Sequence, residues 1–390
     1  MKIPKKAAGI ARTTPVQILR TLVLLAVING GLGLYHYLRA PRGGNEGMWF
    51  RRWLPIVRQN KQELYPSMTE EEVAQLGRET KDRQLSPQWF TGFGEGPYHG
   101  KYLNISEFGF RLGANQAPWP PVHDGRNLVV FLFGGSTAFG HLVTDDQALG
   151  SLLQPMLEKK LGRAVSVYNF GQEGYFSTQE RILFEQLILS GQKPDVAIFV
   201  DGLNDFHNPT AELPYNPAPA PPSPLPETWG NWLREGVRLM PMTKLAISVR
   251  ERFQSVTHSK STASTGDKRP KYDEPAVLQK GIDRYLLNKR MIEAEAKELS
   301  IDALFVWQPV PEYEYDLKYD PFASRDMGDF NYAEYGYPMM RDTVDRTHPD
   351  KFLWCADLQK DSHEVLYVDL VHYSPKMMGM VAGCIVDGVK

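Results

Sequence analysis

Short apolar runs recur along the chain from residue 128 onward, and polar or glycine-rich sequence separates them. A continuous run of this kind is typical of a strand that is buried on both faces of a parallel sheet. The runs predict five strands, at 128–133 (LVVFLF), 165–170 (VSVYNF), 196–200 (VAIFV), 303–307 (ALFVW) and 366–370 (LYVDL).

The segments between these runs carry apolar residues at helical spacing. The clearest is 275–299, where Leu278, Ile282 and Leu286 fall on one side of a helix. The other predicted helices are 146–161, 178–190 and 375–386. Strands that alternate with helices form a parallel sheet with helices on both faces. We therefore predict a flavodoxin-like, three-layer α/β/α domain over residues 124–390.

Two regions depart from the alternating pattern. Residues 45–123 are predicted to be an accessory region, in which 90–100 forms a loop. Within it, Thr69 and Glu72 have the spacing of a capping box that opens a short helix. The second region is an insertion at 207–274, with a proline-rich stretch and a polar linker. An insertion of this length is either a lid or binding loop, or a surface excursion.

The N-terminus is first basic and then apolar. A basic tail, residues 1–20, precedes the apolar segment 21–38, and no acidic residue occurs before Glu46. About 20 apolar residues cross a bilayer, so we expect 21–38 to be an uncleaved transmembrane anchor. A cleaved signal peptide and a buried soluble helix are the alternatives, although 35–39 is a poor cleavage site. Basic residues also follow the segment, so the positive-inside count is nearly balanced and the orientation rests on the usual tendency of a first helix. On that basis we expect a single-pass protein of a bacterial-type inner membrane, with its α/β domain in the periplasm.

Charge and cysteine content narrow the classes of function. The formal net charge of −2 gives no indication of a nucleic-acid partner. The two cysteines, Cys355 and Cys384, are too few for a zinc cluster of thiolates. They can form one disulfide in an oxidising compartment, but the sequence does not show that they meet. No His-Glu-x-x-His motif occurs and 134–137 lacks the P-loop lysine, so we expect neither a metal nor a cofactor.

Residues with catalytic chemistry follow the predicted strands. They are Ser136 after the first strand, Gly174 after the second, Asn204 and Asp205 after the third, and Asp369 and His372 at the last. Ligands of open α/β sheets bind beyond the carboxyl ends of the strands, so these residues are expected at one edge. Each alone has an ordinary explanation, such as a helix cap for Ser136 or a turn for Gly174. Their common position favours a site.

These motifs resemble those of the SGNH, or GDSL-like, hydrolase superfamily. The matched motifs are Gly134-Gly135-Ser136, Gly174, Gly202 to Asp205, and Asp369 to His372, within roughly 127–206 and 275–386. The resemblance implies that Ser136 attacks an ester, and that the amides of Ser136 and Gly174 bind the oxyanion with the Asn204 side chain. Gly135 stands where the family usually has aspartate, which puts the geometry of this loop in question. The stretch 104–111 (NISEFGFR) resembles a lead-in of envelope-anchored members.

His372 is the expected general base. A serine hydroxyl becomes nucleophilic when a base takes its proton, and an imidazole with a pKa of about 6.5 suits neutral pH. Asp369 would orient the imidazole and stabilise its protonated form. His141 and His207 compete for this role, but neither has a carboxylate at the spacing of Asp369. The residues expected to line the pocket are Gly135, Asp205, His141 and His207.

Three functions fit this set of residues. The first is an esterase that removes an acyl group, such as acetyl, from an envelope glycan or lipid through an acyl-serine intermediate. The second is an O-acyltransferase that passes the acyl group to a polysaccharide hydroxyl. The third is a non-catalytic envelope scaffold, which would have no need of Ser, Asn, Asp and His together. The motifs do not identify the substrate, a protein partner or the oligomeric state.

Overall fold

The computed structural model describes residues 48–207, 209, 271–323 and 328–389, together with isolated positions between 20 and 29. Residues 46–219 and 271–390 belong to one compact unit, and 1–45 with 220–270 to another. The second of these lies almost wholly outside the described residues, as does most of the predicted insertion at 207–274.

Ten helices and nine strands are numbered here along the described chain from residue 48 onward. The helices are α1 (Met48–Gln59), α2 (Lys61–Leu64), α3 (Glu70–Asp82), α4 (Ser136–Phe139), α5 (Leu149–Leu161), α6 (Ser177–Leu189), α7 (Leu203–His207), α8 (Pro275–Glu298), α9 (Tyr332–Thr347) and α10 (Pro375–Gly388). The strands are β1 (Leu85–Gln88), β2 (Gly92–Glu95), β3 (Tyr98–His99), β4 (Asn104–Ile105), β5 (Leu128–Gly134), β6 (Val165–Asn169), β7 (Val196–Asp201), β8 (Asp302–Trp307) and β9 (Phe352–Trp354).

The central sheet has five parallel strands in the order β6-β5-β7-β8-β9. This is the flavodoxin-like order, in which the chain reverses its direction of winding at β5. The predicted parallel sheet with flanking helices is therefore confirmed. The reversal leaves a crevice beyond the carboxyl ends of β5 and β7, where α4 and α7 begin.

Alternation along each strand divides the core into two layers. Val130 and Leu132 of β5 pack on one face, in a cluster with residues of α5 and α10. Phe131 and Phe133 point to the other face, where the Phe133 ring stacks on Phe199 at a centroid distance of 4.8 Å. All four β5 side chains are fully buried, which explains why the run shows no polar position.

The prediction of a strand at 366–370 is wrong. The fifth strand is β9, and 366–370 forms a turn with an isolated bridge between Tyr367 and Tyr373. The cause is Asp369, whose Oδ1 accepts hydrogen bonds from the backbone amides of Val371 (3.1 Å) and His372 (2.9 Å). An aspartate that bonds to the backbone ahead of it favours a turn over a strand. His372 therefore lies on a tight turn that leads into α10.

The predicted loop at 90–100 is also partly wrong, because it contains β2 and β3. Strand β2 pairs with β1 in an antiparallel hairpin, with Ser86 opposite Gly94. Its turn holds Phe90 and Gly92 at positive φ, +67° and +86°. The glycines that suggested a loop instead form a hairpin turn and its short strand. The capping box predicted at Thr69 and Glu72 is present at the start of α3.

Two further expectations concern the cysteines and the membrane anchor. Cys355 and Cys384 form a disulfide that joins the end of β9 to α10. Among the positions described, no helix is both long and apolar enough to span a bilayer. Most of 21–38 lies outside those positions, so the anchor remains a prediction.

Candidate active site

The site begins where β5 turns sharply into α4. A Cβ on Gly134 would lie 2.5 Å from the Cβ of Ala138 and 2.9 Å from the carbonyl oxygen of Val200, so a side chain has no room there. This close turn makes Ser136 the first residue of α4. The side chain of Ser136 is buried, with 6% of the residue exposed. The strand therefore ends by presenting a hydroxyl in the crevice at the point where the winding reverses.

Ser136, His372 and Asp369 form a continuous hydrogen-bonded chain. Nε2 of His372 lies 2.8 Å from Oγ of Ser136, and Nδ1 lies 2.8 Å from each carboxylate oxygen of Asp369. The carboxylate fixes a proton on Nδ1, which leaves the lone pair of Nε2 facing the serine hydroxyl. This is the geometry in which an imidazole can take the proton of a nucleophile.

Asp369 is held in its ionised form. Burial alone would raise the pKa of its carboxyl group, but the charge of His372 and the hydrogen bonds that His372 donates together lower that pKa well below its usual range. The indole Nε1 of Trp53 donates to the carbonyl oxygen of Val368 at 2.8 Å and so ties helix α1 to the same turn. The accessory region thus supports the turn that bears the acid and the base.

Each of the three residues expected in the oxyanion site carries a donor with bonding capacity left. The amide of Ser136 is the first of helix α4 and so has no acceptor within that helix. The amide of Gly174, a residue at φ +69°, donates no backbone hydrogen bond within the described chain. Nδ2 of Asn204 donates to the carbonyl oxygen of Tyr175 at 2.7 Å, which leaves its second hydrogen available.

The packing around Gly135 explains why glycine, and not aspartate, stands at this position. A Cβ on Gly135 would lie 2.2 Å from Nδ2 of Asn204 and 3.1 Å from the carbonyl oxygen of Tyr175. The amide of Asn204 therefore occupies the space that a side chain would need. Gly135 does not offer a group to the pocket, but it allows Asn204 to approach the backbone beside Ser136.

Comparisons with known proteins give matches among solved structures only. No family model and no curated protein matches the sequence. Solved structures that match include a lipolytic protein of the G-D-S-L family from Desulfitobacterium hafniense, at 10% identity and a TM-score of 0.38, over 67% of this chain and all of that one. Two acetylxylan esterases also match, each at 15% identity over 67% of this chain. AlAXEase has a TM-score of 0.36 over its whole length, and Axe2 from Geobacillus stearothermophilus has 0.35 over 93%.

The structure has the parallel α/β sheet that the motif resemblance to the SGNH hydrolases led us to expect, and it brings Ser136 and His372 together at one sheet edge. The low identities and TM-scores of the matches carry no argument about substrate, so the chemistry is inferred from the site itself.

Two of the expected pocket residues have other partners in the described chain. Asp205 is fully buried and accepts a hydrogen bond from Oγ of Ser177 at 2.7 Å, while the guanidinium of Arg284 lies 3.7 Å from it. Burial raises the pKa of its carboxyl group. His207 stacks on Phe330 at a centroid distance of 4.3 Å. Both residues are engaged in packing helix α7 against its neighbours.

His141, in contrast, lies directly against the triad. Its ring stacks on the ring of His372 with a centroid distance of 4.1 Å and an interplanar angle of 19°. Its Nδ1 lies 3.1 Å from Oε2 of Glu173. Burial and the charge of His372 lower the pKa of His141 to about 4, so its ring is neutral at neutral pH.

Sequence reasoning missed three residues that build the site. Glu173 and Arg83 form an ion pair behind His141, and Arg111 is fully buried beneath α4. The Arg111 guanidinium donates to the carbonyl oxygens of Phe139 (3.1 Å) and Val143 (2.6 Å). Arg111 is the last residue of the 104–111 stretch. The resemblance of that stretch to envelope-anchored members was the only feature of the sequence that pointed to Arg111.

Three side chains of the site, His141, Asp369 and His372, are close enough together to hold a metal ion. Ligand atoms of His141, Asp369 and His372 lie within 4.8 Å of one another. Both ring nitrogens of His372 already face partners, Nε2 towards Ser136 and Nδ1 towards Asp369. A cation held by His372 would have to break the triad, so the donor set fits proton transfer better than metal binding.

A groove of about 540 Å³ opens beside the triad. Its lining residues are Trp49, Arg52, Trp53, Ile56, Phe322, Asp369 and Leu370. The rings of Trp49 and Trp53 stack at a centroid distance of 5.0 Å. The groove is therefore mainly aromatic and aliphatic, with one guanidinium, and reaches the turn that carries Asp369.

Proposed function

We propose that this protein is a serine esterase that cleaves an acyl ester through an acyl-serine intermediate. The observation that carries the proposal is the Ser136–His372–Asp369 chain, with 2.8 Å contacts on both sides of the imidazole. A buried serine rarely meets a histidine and an ionised carboxylate in this geometry without a catalytic reason.

The reaction proceeds in two balanced halves. Oγ of Ser136 bonds to the carbonyl carbon while Nε2 of His372 takes the hydroxyl proton, and the carbonyl oxygen becomes an oxyanion. Collapse breaks the ester C–O bond, and His372 returns its proton to the leaving alcohol. Water then attacks the acyl-serine, again losing its proton to His372, and releases the carboxylic acid.

The oxyanion is stabilised by donors that are fixed before the reaction begins. The amides of Ser136 and Gly174 and Nδ2 of Asn204 have the chemistry for this task, and Tyr175 orients the Asn204 amide through its carbonyl oxygen. Donors that do not have to reorient are worth more in a buried site than in water. Asp369 stabilises the imidazolium that forms in both halves.

We propose an acylated glycan or lipid of the cell envelope as the substrate, with acetyl among the candidate acyl groups. The groove beside Asp369 supports this choice, because its tryptophans offer flat apolar faces for a sugar ring or an acyl chain. The names of the similar structures agree with an ester substrate but do not carry the proposal.

We further propose that 21–38 anchors the protein in the inner membrane, with the catalytic domain in the periplasm. The Cys355–Cys384 disulfide supports this location, because disulfides persist in oxidising compartments. A fusion of alkaline phosphatase to the C-terminus should be active in cells. An inactive fusion, with an active fusion to a known periplasmic protein as control, would reject the location.

Hydrolysis of p-nitrophenyl acetate by the detergent-solubilised full chain tests the esterase proposal. We expect turnover by the wild type and a loss of about 10⁴-fold or more in Ser136→Ala and His372→Ala. Ser177→Ala is a control for removal of a buried hydroxyl elsewhere. Equal inertness of wild type and Ser136→Ala, in folded protein, would leave the scaffold as the better description.

A further inference from the structure

The catalytic base lies against a second histidine that the proposed reaction does not use. His141 is buried, with 2% of the residue exposed, and its ring lies nearly parallel to that of His372. The Nε2 atom of His141 is buried without a hydrogen-bond partner in the described part of the chain. A buried polar atom without a partner costs folding free energy. We therefore expect the ring of His141 to have a function that offsets this cost.

Glu173 and Arg83 together fix the plane of His141. Its Nδ1 lies 3.1 Å from Oε2 of Glu173, which can only accept a hydrogen bond, and 3.1 Å from a guanidinium nitrogen of Arg83, which can only donate one. Glu173 directly precedes Gly174, one of the oxyanion donors. The residue that holds His141 is thus attached to the oxyanion loop.

Arg83 connects this pair to the accessory region. It follows helix α3, forms ion pairs with Glu173 and with the buried Glu95 of β2, and places its guanidinium 4.5 Å from the centre of the Phe139 ring. Only 5% of the Arg83 side chain is exposed. The accessory region therefore supplies a buried cation that faces the carboxylate behind His141.

The charges around His372 follow from these contacts. His141 is neutral, because burial and the nearby charge of His372 lower its pKa. Burial would raise the pKa of Glu173, but His141, Arg83 and His372 lower it well below its usual range. The imidazolium that forms on His372 therefore faces two carboxylates, Asp369 directly and Glu173 across a neutral ring. Glu95, whose pKa is raised by burial, faces Arg83 from the far side.

We propose that His141 and Glu173 are positioning residues for the catalytic base, and that Arg83 of the accessory region holds them in place. The stacked ring of His141 keeps the His372 imidazole in line with Ser136 and Asp369. The carboxylate of Glu173 lends charge stabilisation to the imidazolium. This inference rests on the proposed function, because it requires His372 to act as a base.

The test compares His141→Phe with His141→Ala in the full chain. Phenylalanine keeps a stacked ring, whereas alanine removes it. Because a displacement of about 1 Å can cost about 10²-fold in rate, we expect kcat for p-nitrophenyl acetate to fall about 10- to 100-fold in His141→Ala and only a few-fold in His141→Phe. KM should remain within about two-fold of the wild-type value in both, because neither variant removes a group that binds the ester.

Glu173→Gln tests the charge separately from the ring. The amide can still form a hydrogen bond with Nδ1 of His141, as acceptor or donor, so the geometry is retained while the charge is lost. We expect the acidic limb of the kcat profile to move to lower pH, because the imidazolium of His372 loses one facing carboxylate. Asp345→Asn, which removes the carboxylate of an exposed ion pair with Arg341, is the matched control and should leave the profile unchanged.

The outcomes separate this inference from the proposed function. If wild type is inactive and a fluorophosphonate does not label Ser136, the proposed function fails. If wild type is labelled and turns over, but His141→Ala matches it, or His141→Phe falls as far as His141→Ala, the positioning role of the ring is overturned. An unchanged pH profile in folded Glu173→Gln overturns the role of its charge, even if His141→Ala does not fold.

Discussion

Two groups of carboxylates lie near the same edge of the sheet, and their pKa values move in opposite directions. Asp369 and Glu173 contact His372, His141 and Arg83, and their pKa values are lowered although burial opposes this. Glu180, Asp201 and Asp205 lie around the end of β7, where burial raises the pKa values of all three and repulsion adds to the rise for Glu180 and Asp201.

The difference teaches that burial alone does not set the role of an acid here. In the first group, donors and cations outnumber the carboxylates, so both acids remain ionised beside the base. In the second, three acids face one another, and Arg284 approaches Asp205 only at 3.7 Å. The first arrangement can stabilise a transient imidazolium, whereas the second favours the protonated form of the acids that pack the sheet end.

Asp369→Asn should produce the largest change, because it removes the charge from the first group but keeps its shape. An amide favours the wrong tautomer of His372 and does not stabilise the imidazolium. We expect kcat to fall about 10⁴-fold, measured with p-nitrophenyl acetate. Asp205→Asn is the control from the second group. A comparable loss in Asp205→Asn would erase the distinction between the two groups.

Asn204→Ala tests the donor that lies between the two groups. Asn204 precedes Asp205 in α7, yet its Nδ2 lies beside Gly135 and next to the nucleophile. Loss of one oxyanion donor typically costs about 10² to 10³ in kcat, and we expect a change of this size with little change in KM. Activity within a few-fold of wild type would remove Asn204 from the oxyanion site.

Gly135→Asp should lower activity even though it introduces the residue usual in related motifs. The new Cβ would lie 2.2 Å from Nδ2 of Asn204, so the amide would have to move away from its position. We expect kcat to fall about 10-fold or more, towards the level of Asn204→Ala. Gly379→Asp, at an open position of α10, is the control for adding the same side chain. Unchanged activity in Gly135→Asp would show that the loop adapts freely.

Glu180→Gln should have the smallest effect, on stability rather than on rate. A carboxyl with a raised pKa in the folded state contributes stability that is present below its unfolded pKa and is lost as pH rises. The variant should therefore gain about 1–3 kcal/mol relative to wild type between pH 5 and pH 8.5 in urea unfolding. Asp345→Asn, which removes the carboxylate of the exposed ion pair with Arg341, should show no such gain. A constant difference across this range would contradict the raised pKa.

The regular helices and strands could be predicted because each has apolar residues at regular spacing on the side that is buried. Strands β5 to β8 and helices α5, α6, α8 and α10 agree with their predicted ranges to within a few residues, since their apolar patterns are continuous. Helix α9 was missed because Gly336 and Pro338 interrupt its pattern. Gly336 has a packing reason, as a Cβ there would lie 2.3 Å from Phe206. Strand β9 has only three residues, too few for a pattern.

The site could be predicted only in the part that lies next to strand ends. Ser136, Asn204 and His372 follow from motif order, and the structure brings them together. The roles of Glu173 and Arg83 could not be predicted from the sequence. The two residues are 90 positions apart, and their pairing depends on how the accessory region packs. No local pattern encodes such a contact.

The most direct test of the central claim is mass spectrometry of the full chain after reaction with a fluorophosphonate. The account predicts a single phosphonyl adduct on the peptide that contains Ser136, formed rapidly by wild type and at least about 10³-fold more slowly by His372→Ala. The Ser136→Ala variant should carry no adduct. An unmodified Ser136 in folded wild-type protein, or equal labelling of wild type and His372→Ala, would contradict the account.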